Sequence, residues 1–170
     1  GLDYYRLGER TVADMEWQRA RFRTHIEAAR DTGLPLVVHE LGASAGLNLL
    51  ADQVRITWLG GARGPQGSPL LLEDAWAGDP LPPDVPVEVA ARVAVDRSPV
   101  DVTTTEGRLH LTSFVWPDQT ERFERLRAAY ELAARVPVEL VAADLVDHLR
   151  TLSPVNGRVL LVAHSTTWIY

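Results

Sequence analysis

The chain predicts an α/β fold built on a mostly parallel sheet, and three features point there. Its candidate strands, such as Leu36–Leu41 and Arg158-Val-Leu-Leu-Val-Ala163, are nearly continuous apolar runs, as expected of strands covered on both faces. These runs alternate with segments of helical periodicity. A turn of small residues, Gly42-Ala-Ser-Ala-Gly46, follows the first run directly.

The elements follow in order. Residues 11–31 read as an amphipathic helix, with Thr11 as N-cap, Met15, Phe22, Ile26 and Ala29 on one stripe, and Gly33 as the stop. After the first strand and the small-residue turn, residues 45–52 read as a helix. Residues 53–86 break the pattern and read as a hairpin-like insertion. Within it, Val54-Arg-Ile-Thr-Trp58 alternates like a half-exposed strand, residues 60–67 are glycine-rich, and residues 68–76 return as a second strand. Pro80, Pro82, Pro83 and Pro86 stiffen the exit. Residues 87–95 form the next strand, ending at Asp96 with Ser98-Pro99 behind it, and residues 109–116 fit either strand or helix. Asp118-Gln-Thr-Glu121 has the form of a capping box. It opens a helix to Arg135 whose buried face is Phe123, Leu126, Tyr130 and Ala133. Residues 138–143 form a strand ending at Asp144, with a helix through Leu152, and a last strand ends at His164.

The totals exclude several functions. At 170 residues and 46% hydrophobic, the chain suits one domain with a continuous core. It begins at Gly1 and stops at Trp168-Ile-Tyr170, so the expectation is a single but partial domain, with an N-terminal helical segment (1–33) and the insertion (53–86). A net charge of −6 argues against nucleic-acid binding, which needs a basic face. Without Cys there is no disulfide, thiolate ligand or Cys nucleophile, and without Lys there is no Schiff base or P-loop lysine. With no apolar run of membrane length and no signal peptide, the expectation is a soluble cytoplasmic protein.

In parallel α/β sheets ligands bind beyond the carboxyl ends of the strands. Those ends carry Glu40 with the glycine turn, then Asp96, Asp144 and His164. A strand, a tight turn and a helix N-terminus would aim N–H groups at a ligand, and the small residues Gly42, Ala43, Ser44 and Gly46 would let the backbone approach it. For a nucleoside-bearing cofactor, Glu40 and the turn line one side, Asp96 accepts from ribose hydroxyls, and Asp144 faces the adenine amino group. Glu-x-Gly-x-Ser-x-Gly is the loop spacing of class I S-adenosylmethionine methyltransferases with Ser in place of the middle Gly. The plainer readings are that Asp96 is a turn residue and Asp144 a helix N-cap.

A rival reading takes Gly42-Ala-Ser-Ala-Gly46 as a G-x-S-x-G nucleophile elbow, with Ser44, Asp144 and His164 in α/β-hydrolase order. The strands that precede such an elbow, and a His-Gly-Gly-like oxyanion segment, are missing, and losing one oxyanion donor costs about a hundredfold or more. Asp144, Asp147 and His148 are spaced like metal ligands, but acids in a solvated first helical turn account for them, and no metal is expected. Trp116 in Val115-Trp-Pro-Asp-Gln119 is read as an anchor for the helix start, ahead of the alternative of a substrate-facing role. His164, beside Ser165, is the candidate general acid/base.

Glu40-Leu-Gly-Ala-Ser-Ala-Gly-Leu-Asn-Leu49, Asp96 with Ser98-Pro99 and Asp101, the Trp116-Pro117 segment with Glu121-Arg122, Asp144 and His164-Ser165 together resemble a bacterial family catalogued as domain of unknown function 2332. The resemblance implies a class I methyltransferase-type architecture, with further strands after His164-Ser165 in longer relatives. It leaves about four parallel strands with an open edge, through which, or through the insertion, the chain would form a homo-oligomer. The expected function is that of an S-adenosylmethionine-dependent methyltransferase or a binding relative of one, with a small-molecule cofactor and no nucleic-acid or membrane partner. The alternative is a non-catalytic Rossmann-like scaffold.

Overall fold

The computed structural model describes residues 27, 30–75 and 86–164. The stripe Met15, Phe22, Ile26 and Ala29, the prolines Pro80, Pro82 and Pro83, and Ser165 lie outside the described residues. In chain order come β1 (Leu36–Leu41), a 3-10 helix (Leu47–Gln53), β2 (Arg55–Trp58), β3 (Gly61–Arg63), β4 (Leu71–Leu72), β5 (Val89–Asp96), α1 (Thr105–Thr112), α2 (Thr120–Ala133), β6 (Glu139–Ala142), α3 (Leu145–Thr151) and β7 (Val159–His164).

Four strands pair in parallel in the order β6-β5-β1-β7. The chain steps outward from β1 to β5 and then β6, and crosses back to the far side of β1 for β7. Strand order therefore reverses at β1, which makes the fold Rossmann-like. The in-register pairs place Val37, His39 and Leu41 on one face of β1, level with Val93 and Val95 of β5. Val38 and Glu40 take the other face, level with Arg92 and Ala94.

The first face packs under α3, where Leu41, Val93 and Val95 meet Val141, Ala143, Leu145 and Leu149. On the second face, Ala43, Leu49 and Ala94 close against Val38, Val138 and Leu140. Beyond it α1 and α2 gather around Ala45, Val102 and Tyr130. Each fully buried Leu or Val here contributes about 1.5–3 kcal/mol. Among the described residues no side chain of β7 enters the three core clusters, and Leu161 and Val162, one on each face, are exposed.

The structure departs from the sequence expectations in four places. The helix expected over 45–52 is a 3-10 helix, and the Leu49 carbonyl accepts a hydrogen bond from Arg92 Nε in competition with the helical ladder. The insertion is more than a hairpin: β3-β2-β4 form a small second sheet, with β2 antiparallel to β3 and parallel to β4. The capping box does not form, since α2 starts after Gln119 and no side chain caps it. Phe123 is exposed, because the first two turns of α2 extend past the core that Tyr130 and Leu132 enter. The ambiguous stretch 109–116 resolves as the end of α1 followed by turns.

Candidate functional site

The turn after β1 is held by hydrogen bonds directed into the protein. Gly42 and Ala43 both donate to the Val95 carbonyl (2.8 and 3.2 Å), Ser44 N–H donates to Asp96 Oδ2 (2.9 Å), and Gly46 N–H to the Ala43 carbonyl (2.8 Å). The Ser44 carbonyl in turn accepts from Val100 N–H (3.1 Å). This corrects the expectation of a ligand-facing N–H cradle at a helix N-terminus, because these donors are satisfied internally and the helix that follows is a short 3-10 segment. The turn requires positive φ at Gly42 (68°), Ser44 (53°) and Gly46 (68°). Ser44 bears the strain of a side chain in that region, which is sparsely populated by non-glycine residues.

Glu40 lies just before the turn and is buried. Its Oε1 accepts from Asn48 Nδ2 on the 3-10 helix (2.8 Å), and its Oε2 has no partner among the described residues. Burial pushes this carboxyl above the usual carboxylate range, against the smaller opposing effect of the Asn48 hydrogen bond. A raised carboxyl pKa favours the protonated folded state, so its stabilising effect is present at acid pH and lost as pH rises through the folded value. Glu40→Gln, a neutral isostere, should therefore melt higher than the parent at pH 7, and the gap should close toward pH 4 in a series of thermal melts.

Asp96 faces the turn. Its Oδ2 holds Ser44 N–H and its Oδ1 holds Ser98 N–H (2.9 Å each), so it ties the tip of β5 to the turn after β1. Asp144 takes the plainer of its two expected roles. Its Oδ1 caps α3 through Val146 and Asp147 N–H, and its Oδ2 meets Arg97 Nη2 at 2.7 Å. The Arg97 hydrogen bond first, and the two backbone N–H groups after it, hold the Asp144 carboxyl below the usual range. His164 ends β7 in register with Leu41, on the face opposite Glu40. Asp144 follows β6 and His164 ends β7, the two outer strands of the four, whose axes lie about 14 Å apart at a strand spacing of about 4.8 Å. No Ser44–His164–Asp144 triad is assembled.

The proposed metal spacing also separates: Asp147 pairs with Arg150 (2.8 Å) and His148 turns to His39 (3.0 Å). No helix among the described residues is long and apolar enough to cross a membrane. Trp116 is 71% exposed, so it does not anchor α2 by burial; with Ser113, Phe114, Val115 and Pro117 it lines an open surface hollow of about 290 Å³. Sequence reasoning missed the Asn48 contact, the His39–His148 contact and the Arg92–Asp52 ion pair. Polar residues inside apolar runs, His39 in β1 and Arg92 in β5, are the signal that marks two of them.

The fold and this site define a Rossmann-like α/β protein whose glycine turn opens where strand order reverses. The chain belongs to the family described as an uncharacterized protein conserved in bacteria, domain of unknown function 2332, whose model matches residues 22–170. No curated protein and no solved structure matches it.

Proposed function

We propose that the crevice at the end of β1 binds S-adenosylmethionine and that the protein is a methyltransferase-like enzyme of unassigned acceptor. The observation that carries this reading is the meeting of turn and strand reversal: the Gly42–Gly46 turn leaves β1 at the one point where its neighbours β5 and β7 diverge in chain order, the place where open α/β sheets take ligands. Because four of the turn's five N–H groups, those of Gly42, Ala43, Ser44 and Gly46, are spent internally, a phosphate cradle is disfavoured and a phosphate-free nucleoside ligand fits better. Glu40 Oε2 is buried and has no partner among the described residues, so it would accept from an ammonium donor once a ligand displaces what covers it.

Bound there, the cofactor supplies a methyl group activated by its sulfonium. Glu40 receives the amino-acid end, Gly42, Ala43, Ser44 and Gly46 form the floor, and the outward lone pairs of Asp96 meet the ribose. An adenine contact at Asp144 requires Arg97 to move aside. His164 is the proton acceptor in this reading. Transfer then depends mainly on aligning acceptor and methyl group.

Titration calorimetry with S-adenosylmethionine and its demethylated product tests the proposal. One-to-one binding of both, weakened at least tenfold in Glu40→Gln, is expected. Absence of heat at about 1 mM ligand, meaning a binding free energy weaker than about −4 kcal/mol, would favour the scaffold reading. Labelling of Ser44 by a fluorophosphonate would favour the hydrolase.

A further inference from the structure

We propose that the His39–His148 contact is a pH-sensitive latch fastening α3 to the sheet. His39 is buried in the middle of β1, and its Nδ1 lies 3.0 Å from Nε2 of His148 on α3, with ring centroids 5.2 Å apart and planes tilted by 40°. A hydrogen bond between two imidazoles needs a proton on one facing nitrogen and a lone pair on the other. The contact survives with neither ring or one ring charged. With both charged, the acceptor is gone and two cations face each other.

The surroundings offer little relief. At the level of His39, β5 presents Val93 and β7 presents Val162. β6 presents Glu139, in register with Val93 on the same face, which favours the charged ring. On α3 itself, Asp144 is engaged by Arg97 and Asp147 by Arg150. Burial first, and the neighbouring His148 second, lower the His39 pKa below 6.5, and Glu139 opposes them. A lowered histidine pKa means that the unfolded or released state binds the proton more readily. The latch is therefore intact above about pH 6.5 and weakens as pH falls from there toward the folded value.

α3 is short and carries no fully buried residue of its own, so besides this contact only the half-buried Leu145 and Leu149, packed against the core cluster, hold it to the sheet among the described residues. Its release would reach the crevice by a direct route: Asp144 at its start holds Arg97, the residue after Asp96, and Asp96 pins the Ser44 N–H. The latch stands independently of any cofactor.

Hydrogen exchange of the 170-residue chain between about pH 5 and pH 8, corrected for intrinsic exchange rates, tests it. Below about pH 6.5, protection of the α3 amides should fall by up to tenfold per pH unit, while α2 amides keep theirs. His148→Gln, which hydrogen-bonds but cannot charge, should flatten the α3 profile. Loss of protection in α2 and α3 together, or an unchanged α3 slope in His148→Gln, overturns the proposal. If that variant fails to fold, ring-nitrogen NMR of the parent decides: one ring titrating well below 6.5 supports the latch, and two independent titrations near 6.5 overturn it.

Discussion

Gly46→Ala should destabilise the fold by about 2–5 kcal/mol, lowering the melting temperature by roughly 4–20 °C at about 2–4 °C per kcal/mol. Two effects add. The residue sits at φ 68°, where an L side chain costs about 1–2 kcal/mol. A Cβ there would also lie 2.8 Å from Ala94 Cβ and 2.9 Å from Val138 Cγ1. Ala94 has no rotamer by which to withdraw, and overpacking of a closed core typically costs about 1–3 kcal/mol. Gly33→Ala is the control, since Gly33 has φ 60° and, among the described residues, nothing lies within 4 Å of a new Cβ. Thermal melts followed by circular dichroism should show the smaller, backbone-only loss at Gly33. Equal losses at the two positions would refute the packing part of the explanation.

Arg92→Ala should cost about 2–4 kcal/mol. The Arg92 side chain is 9% exposed and that of Asp52 26%; Nη2 meets Asp52 Oδ2 at 2.6 Å and Nε donates to the Leu49 carbonyl at 3.0 Å. Removing one partner of a buried pair costs about 3–5 kcal/mol because the other charge is stranded, and the partial exposure of Asp52 reduces that figure. Adding Asp52→Ala to Arg92→Ala should recover part of the loss, with a coupling energy of about 1 kcal/mol or more by denaturant unfolding. Losses that simply add, within about 0.5 kcal/mol, would mean that the guanidinium acts without the Asp52 charge, through packing and its hydrogen bond to the Leu49 carbonyl.

The parallel sheet is legible in the sequence because strands covered on both faces must be apolar throughout, and β1, β5, β6 and β7 all fall within the runs that composition marks. The placement of Asp96 beside the turn is legible too, since adjacent parallel strands bring their tips together. What is not legible is the direction of the donors. Gly42-Ala-Ser-Ala-Gly46 reads equally as a cradle open to a ligand or a turn closed on itself, and only the Val95 carbonyl and the Asp96 carboxylate decide for the latter. The contacts of Glu40, His39 and Arg92 are hidden for a related reason: alternation fixes the face each occupies, but Asn48, His148 and Asp52 reach them from segments whose path a single sequence does not determine. The Leu49 carbonyl of the 3-10 helix likewise meets a side chain 43 residues away.

The double acceptance at the Val95 carbonyl makes the turn an extension of β5 as much as of β1. Under the proposed reading, a ligand settling above it would meet a surface already tied down by these hydrogen bonds. Little ordering entropy would then be spent on the turn itself when a ligand is captured.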